Sequence, residues 1–300
     1  PGASLELIAP AAVLPLASRL VDVAAPLERA EVAYLFLNGE GLPGEVVSRY
    51  RDLGLAVVWL SDPDGSVRRS LQRLGARRIL WASAIPSGPG RHAADHLLDT
   101  LAPLGVGGVS DAATPSVVLP RDRASAILRR PGVDPTRPRV AVHPGSGGDW
   151  KRWPAERFAW VVDGLLAAGR EVALIQGPAD ERAVAEVLAS VREGRPEVAS
   201  GLDVEELAAF LSLCSCYLGN DSGVTHLAAA VGAPTVAIFG PTDPSVWGPR
   251  GRRVAVLRGE VECAPCPRGA ARECRARSCL EAVTVEQVVG AVAAMLDGGD

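Results

Sequence analysis

Short apolar runs alternate with amphipathic stretches along this sequence, and this rhythm limits the available folds more than any other feature. Such alternation is typical of βαβ units, in which helices cover a sheet of parallel strands. In the N-terminal half it predicts strands at residues 5–9, 33–37, 56–60 and 78–81, with helices at 11–20, 44–53, 66–74 and 91–104. The chain is therefore expected to be an α/β protein.

A proline-rich stretch interrupts this alternation at residues 130–138. The segment RPGVDPTRP contains three prolines and a glycine, which neither a helix nor a central strand tolerates. It predicts a linker between an N-terminal domain, residues 1–132, and a C-terminal domain, residues 139–300; a surface loop within one domain is the alternative. The last predicted helix, 284–296, starts with a capping-box pattern and is a candidate to pack back on the N-terminal domain.

Composition excludes several classes of function. Hydrophobic residues make up 48% of the 300-residue chain, enough for two domain cores, and the formal net charge is −4. Without a dense run of cations, a nucleic-acid partner is not expected. No apolar run reaches the roughly 18 residues that span a bilayer, so a cytoplasmic protein is predicted. The arginines at 268, 272, 275 and 277 form a local basic patch, for which an ordinary solvated loop is the favoured interpretation. The alternative is contact with a phosphorylated acceptor or with anionic lipid at the inner membrane surface.

The first of two notable loops, HPGSGGDWKRWP at residues 143–154, follows a predicted strand and precedes a predicted helix. Its glycines let backbone N–H groups approach an anion closely, and Lys151 adds a point charge. It is not a P-loop, because no Gly-Lys-Ser/Thr occurs. A flexible surface turn is the alternative interpretation.

The second loop, GNDSGVTHLAAA at residues 219–230, also joins a predicted strand to a helix. Backbone N–H groups from Ser222 to Thr225 would open that helix, where the macrodipole favours phosphate. His226 could donate to a phosphate oxygen or simply pack against the sheet. Both loops follow the carboxyl ends of strands, where open α/β sheets bind ligands. Together they predict a site for a diphosphate.

The run from Gly219 to Pro244, GNDSGVTHLAAAVGAPTVAIFGPTDP, closely resembles the signature of glycosyltransferase family 9, which includes the ADP-heptose:lipopolysaccharide heptosyltransferases. The loop at 143–154 with the following AERF resembles the family's other donor-site motif. This resemblance implies two Rossmann-like domains facing across a cleft, the GT-B type, with the N-terminal domain missing its first βα unit. It also implies an inverting transferase that moves a heptose or related sugar, most readily from ADP-heptose, to a lipopolysaccharide core or another glycan or glycolipid acceptor.

The resemblance also assigns site residues. It places the donor diphosphate against Ser146, Lys151, Asp221, Ser222, Gly223, Val224 and His226. Asp180 or Glu181 would bind the donor ribose, or would only supply negative charge to a helix N-terminus. Lys151 and the helix N-terminus would stabilise the leaving group without a required cofactor. The family's catalytic Asp is expected upstream of Pro1, so no catalytic base is assigned within this sequence.

Four cysteines lie close together in a Pro- and Arg-rich segment: Cys263, Cys266, Cys274 and Cys279. Free thiols, a structural zinc site and disulfides are all compatible with this spacing. Cys214 and Cys216 lie in apolar surroundings and are expected to be small core residues.

Two other functions share the predicted fold. One is a nucleotide-sugar epimerase, which needs acid and base side chains in its cleft; with four histidines in the chain, these are scarce. The other is a nucleotide-sugar-binding protein without catalytic activity. Fold alone does not separate these from a transferase.

Overall fold

A computed structural model of the chain describes residues 2–38, 40–86, 90–106, 114–117, 119, 139–267 and 269–298. It forms two compact units, residues 1–113 and 114–300. The predicted linker at 130–138 lies outside the described residues, so the domain limits 1–132 and 139–300 stay a prediction.

The first unit contains parallel strand pairs and short helices. The strands are β1 (Glu6–Ala9), β2 (Val23–Pro26), β3 (Leu55–Val58) and β4 (Arg78–Trp81). The helices are α1 (Leu14–Ala17), α2 (Ala30–Ala33), α3 (Gly44–Tyr50), α4 (Ser66–Arg73) and α5 (Ala93–Asp99), with 3-10 turns at Tyr34–Phe36 and Ala102–Leu104. Strand β1 pairs with β2, and β3 pairs with β4.

The predicted strand at 33–37 is wrong, because this run ends α2 and continues as the 3-10 turn. Helical winding places Val32 and Leu35 together in a core with Val46 and Val67. A short apolar run fits a strand or a buried helical turn equally well, and only packing decides between them. The helix predicted at 11–20 is reduced to α1, and β2 was not predicted.

The described residues of the second unit form a six-stranded parallel sheet with helices. Its strands are β5 (Arg139–His143), β6 (Glu171–Gln176), β7 (Glu197–Ser200), β8 (Cys216–Asn220), β9 (Thr235–Phe239) and β10 (Val254–Arg258). Its helices are α6 (Ala155–Ala167), α7 (Glu181–Ser190), α8 (Val204–Ser212), α9 (Gly223–Ala230), α10 (Pro244–Trp247), α11 (Ser278–Glu281) and α12 (Val285–Asp297), with 3-10 turns at Asp149–Lys151 and Ala270–Arg272.

The central strands of this sheet are buried along their whole length, as near-continuous apolar sequences in parallel sheets usually are. Helix α6 packs against α7 and α12. At the start of α6, the Trp153 and Phe158 rings meet edge to face, 5.1 Å apart. The predicted capping box of Thr284 and Gln287 is confirmed at the start of α12, which packs on α6, β8 and β9.

The strand order is β10-β9-β8-β5-β6-β7. The chain runs from β5 outward through β6 and β7, then returns to the other side of β5 and runs outward through β8, β9 and β10. Strands β5 and β8 are therefore neighbours at the point where this direction reverses. Ligands of open α/β sheets bind beside the carboxyl ends of such a pair. The loops that follow β5 and β8 leave the sheet side by side at this edge.

Across the described parts of the chain, none of the helices is both long enough and apolar enough to pass through a lipid bilayer.

Candidate functional site

Two loops converge at the carboxyl edge of the sheet: the β5 loop (residues 144–154) and the β8 loop (residues 221–222). Lys151 Nζ lies 2.7 Å from Asp221 Oδ2, and the Ser146 hydroxyl donates to the Asp221 carbonyl at 3.3 Å. The Asp221 side chain is 8% exposed, whereas that of Lys151 is 28% exposed. The lysine therefore has a fixed partner and still reaches solvent.

Asn220, the last residue of β8, ties the two loops together. Its amide donates to the carbonyls of Pro144 at 2.9 Å and Gly145 at 3.2 Å, and its Oδ1 accepts from Trp153 N at 2.9 Å. The residue is fully buried. All three contacts replace hydrogen bonds that the loop backbone would otherwise make with water.

A buried hydrogen-bonded chain runs beside these contacts. His143 ends β5; its Nδ1 lies 3.3 Å from Ser222 Oγ and its Nε2 lies 3.1 Å from Asp180 Oδ2. Asp180 Oδ2 also accepts from Gly177 N at 3.0 Å. The chain therefore connects the carboxyl ends of β5, β6 and β8.

Asp180 is held in its ionised form. Burial raises the pKa of its carboxyl, but the hydrogen bond and attraction from His143, with the N–H of Gly177 and the charge of Arg152, lower it overall. An ionised carboxylate can only accept hydrogen bonds. Asp180 therefore accepts from Nε2–H of His143 and from the N–H of Gly177.

Helix α9 starts at the β8 loop with an ordered N-cap. Ser222 Oγ accepts from Thr225 N, while Gly223, Val224 and His226 follow in the first turns of the helix. His226 is exposed. No described atom lies within 4 Å of where a Cβ would stand at Gly147 or Gly223, so both loops present open backbone. That is the geometry in which backbone N–H groups can approach an anion.

Gly219, in β8 just before the β8 loop, has no room for a side chain. A Cβ at Gly219 would overlap the Tyr217 hydroxyl. Tyr217 is fully buried, and its hydroxyl lies 2.9 Å from Thr225 Oγ1. Burial raises the pKa of Tyr217, so this hydroxyl stays neutral. The pair anchors α9 to the sheet beneath the site.

The structure thus brings together Ser146, Lys151, Asp221 and Ser222 from the predicted diphosphate ligands. The two predicted ribose ligands differ in their surroundings. Asp180 points inward to His143, whereas Glu181 begins α7 with an exposed side chain. His143 and Asn220 were not predicted from the sequence as site residues. Each is a polar residue at the carboxyl end of an otherwise apolar strand, and that sequence feature could have identified both.

Lys151 is also unusual for this composition. The chain has 31 cationic side chains of the Lys and Arg type, and Lys151 is the only lysine among them. A lysine ammonium is a compact point charge, whereas arginine carries a planar fork. Position 151, beside Asp221, is therefore the one place where this sequence uses lysine and not arginine as its cation.

All six cysteines are free thiols in the structure. Cys214 and Cys216 are buried, as predicted, and burial raises the pKa of both to about 12. In the part of the chain that is described, no group of three or more His, Cys, Asp or Glu side chains could hold a metal ion. Arg268, from the predicted basic patch, lies outside the described residues.

A separate cavity of about 260 Å³ borders the β5 loop. Its charged walls mix arginines with acids, and Arg152 and Arg182 each contact Asp149. Its lining does not include the predicted diphosphate ligands. We therefore place the candidate site at the two loops and not in this cavity.

Comparison with known proteins assigns both loops to a region that a known family shares. The sequence profile of glycosyltransferase family 9 (heptosyltransferase) matches residues 102–276, more than half of the 300-residue chain, and includes both loops. The chain belongs to glycosyltransferase family 9. The family assigned by resemblance is thereby confirmed.

Individual family members show how far the similarity reaches. Lipooligosaccharide heptosyltransferase 2 of Haemophilus influenzae is 32% identical over 127 residues, which span 41% of this chain and 37% of that protein. The family 9 glycosyltransferase structure from Veillonella parvula has a TM-score of 0.78 at 22% identity, covering 98% of this chain and 88% of that one. The E. coli heptosyltransferase WaaC, solved with ADP, has a TM-score of 0.63 at 17% identity, covering 98% and 91%. These structures confirm the predicted α/β, GT-B class of fold.

Proposed function

We propose that this family 9 member is an inverting glycosyltransferase that moves a heptose or related sugar from ADP-heptose to a lipopolysaccharide core or another glycan. The observation that carries the proposal is the Lys151–Asp221 contact beside the N-terminus of α9. At this edge, where α/β sheets bind nucleotides, Lys151 provides a cation, Ser146 provides a hydroxyl, and the start of α9 provides open backbone N–H groups.

The leaving group explains why such groups are needed. As the acceptor hydroxyl bonds to the anomeric carbon and loses its proton, the bond from that carbon to the phosphate oxygen breaks, and its electron pair leaves negative charge on the nucleoside diphosphate. The Lys151 ammonium has three donors, and Asp221 occupies one, which leaves two for phosphate oxygens. Groups fixed in this way stabilise the developing charge without rearranging.

With the diphosphate at the two loops, the contacts of the ribose and of the acceptor can also be proposed. Glu181, exposed at the start of α7, would accept from ribose hydroxyls, while the inward-facing Asp180 would not. We also propose that the acceptor is a glycan or glycolipid met at the cytoplasmic face of the inner membrane. The exposed Arg272 and Arg275 would face anionic lipid there.

We expect ADP to bind more tightly than UDP or GDP, and Lys151→Ala to weaken ADP binding about 10-fold or more. That is the loss expected from a charge-assisted hydrogen bond of about 1.5–3 kcal/mol. Lys151→Arg should restore only part of the affinity, because the larger planar guanidinium can pair with Asp221 but places its donors differently from the compact ammonium. Isothermal titration calorimetry measures each affinity, and the exposed Arg195→Ala controls for loss of one positive charge.

The single lysine allows an independent measurement. An amine-selective acylating reagent can modify Lys151 and no other side-chain amine of this sequence. Peptide mapping by mass spectrometry should show that ADP protects Lys151. Full labelling in saturating ADP, or an unchanged affinity in Lys151→Ala, would remove the proposed site.

A further inference from the structure

The Trp150 ring lies on the β5 loop itself. A Cβ at Gly148 would overlap this ring, so the indole rests directly against the backbone of that residue. At Gly147, by contrast, no described atom lies within 4 Å of where a Cβ would stand. Lys151 follows Trp150 in the same 3-10 turn. The ring therefore covers Gly148, leaves Gly147 open to a ligand and adjoins the residue that carries the positive charge.

Arg272 contacts this ring from a distant part of the sequence. Its Cζ lies 5.2 Å from the centre of the Trp150 ring, within the range of a cation–π contact. Arg272 ends the 3-10 turn Ala270–Arg272, in the segment between β10 and α11. In the same segment, the N–H of Cys266 donates to the Pro241 carbonyl at 2.8 Å, just after β9. The segment that carries Arg272 is therefore attached to the same edge of the sheet.

Asn220 and Trp150 hold different parts of the β5 loop. Asn220 is fully buried and holds both ends of the loop by hydrogen bonds. In the middle of the loop, Asp149 forms ion pairs with two arginines, but its side chain is 59% exposed, and exposed pairs contribute little. The contact between Trp150 and Arg272 thus ties the middle of the loop to a second segment of the chain.

We propose that Arg272 positions the β5 loop for a nucleoside diphosphate by stacking on Trp150. It is a positioning residue, because it acts through Trp150 on the loop that carries Lys151 and the open backbone N–H groups. A loop that is ordered before binding loses less conformational entropy when the ligand arrives. Stacking uses the face of the guanidinium and leaves the N–H groups in its plane available to anions. The inference rests on the proposed function, because it needs the diphosphate to lie at the β5 loop.

A double-mutant cycle, measured by calorimetry with ADP, tests the proposal. Arg272→Ala should weaken ADP binding about 2- to 5-fold, the effect expected from an exposed cation–π contact. Trp150→Ala should weaken binding at least as much. The double variant should match Trp150→Ala, because Arg272 then has no ring on which to act. If Arg272→Ala has its full effect in the Trp150→Ala background, Arg272 acts independently of Trp150 and the proposal is wrong.

Three further variants exclude other causes. Trp150→Phe keeps an aromatic face and should bind ADP more tightly than Trp150→Ala; equal affinities would contradict stacking. Arg195→Ala removes one exposed positive charge elsewhere and should match the wild type. Gly148 has an extended backbone with φ −176°, which alanine also adopts, so the methyl group of Gly148→Ala acts on the ring. Should Trp150→Ala fail to fold, Gly148→Ala takes its place in the cycle and must reduce the effect of Arg272→Ala.

The single lysine gives a second readout that needs no ligand. Amine-selective acylation of Lys151 should be faster in Arg272→Ala than in the wild type, because a less ordered loop exposes the amine more often. Thermal unfolding should be unchanged, since Arg272 is exposed. Equal acylation rates would show that Arg272 does not order the loop and would overturn the proposal.

The two proposals fail on different results. No ADP binding by the wild type contradicts the proposed function. ADP binding by the wild type with the same affinity in Arg272→Ala leaves the function standing and overturns the role of Arg272.

Discussion

Gly145 lies in the β5 loop at a point where a side chain has no room. A Cβ there would overlap the Asp180 carboxylate and lie 2.8 Å from His143 Nε2. Both atoms belong to the buried chain that ends at Ser222. Gly147, two residues later, faces open space. The same loop thus contains one glycine required by packing and one that leaves room for a ligand.

We expect Gly145→Ala to lower the free energy of unfolding by about 1–3 kcal/mol, the usual cost of overpacking. It should also weaken ADP binding, because the Asp180–His143 contact must shift. Gly147→Ala should change the free energy of unfolding by less than about 0.5 kcal/mol. Thermal and chemical unfolding of the two variants measures the difference, and equal destabilisation would contradict the packing described at Gly145.

The residues differ in how far sequence could identify them. Ser222 and Lys151 were predicted because they belong to local patterns around glycines. His143 has its partners 37 and 79 positions away along the chain, at Asp180 and Ser222. No local pattern contains a contact of that span, so its role emerged only when the sheet brought three strand ends together.

At the scale of elements, Asn220 joins the end of β8 to the loop that follows β5. Its amide group must both donate to two carbonyls and accept from Trp153 N. A carboxylate of the same shape keeps the acceptor and loses both donors. It also introduces a buried charge beside carbonyl oxygens, which is unfavourable.

Asn220→Asp is therefore expected to destabilise the second unit by about 1–3 kcal/mol and to weaken ADP binding. The matched change Asn38→Asp provides the control, because Asn38 Oδ1 already accepts from the Arg69 guanidinium and a carboxylate suits that partner. Differential scanning calorimetry of both variants makes the comparison. Similar melting temperatures for Asn220→Asp and the wild type would contradict the role of Asn220.

Elements with their own start signals were predicted well. The Thr284 capping box places the start of α12, and Pro154 precedes α6. The run at 33–37 and strand β2 were not predicted correctly. Both are four or five residues of apolar sequence, for which helix and strand periodicity cannot be told apart.

At the scale of the whole molecule, the two units differ in how their strands are buried. Strands β5, β8 and β9 are buried at every residue, whereas all four residues of β1 are only partly buried. Within its described residues, each sheet of the first unit has two strands. Two-stranded sheets depend on packing partners for stability, because few of their backbone groups are paired.

Hydrogen exchange should therefore be slower in β5 and β8 than in β1 and β3, by at least about 10-fold under native conditions. Mass spectrometry of peptic peptides measures the rates for both units in one sample. Peptides from α12, which packs on β8, serve as a reference for the second unit. Equal protection in β1 and β5 would show that the two units open with similar free energies.

The sequence alone determined the α/β class, the capped C-terminal helix, both loops and the family, because each depends on apolar periodicity or on a local run of residues. The tertiary structure alone decided the neighbours of each loop residue. Strands β5 and β8 are far apart in the chain and adjacent in the sheet, and that adjacency places Lys151 on Asp221 and Ser222 on His143. A contact created by strand order cannot be seen in a sequence that does not state the order.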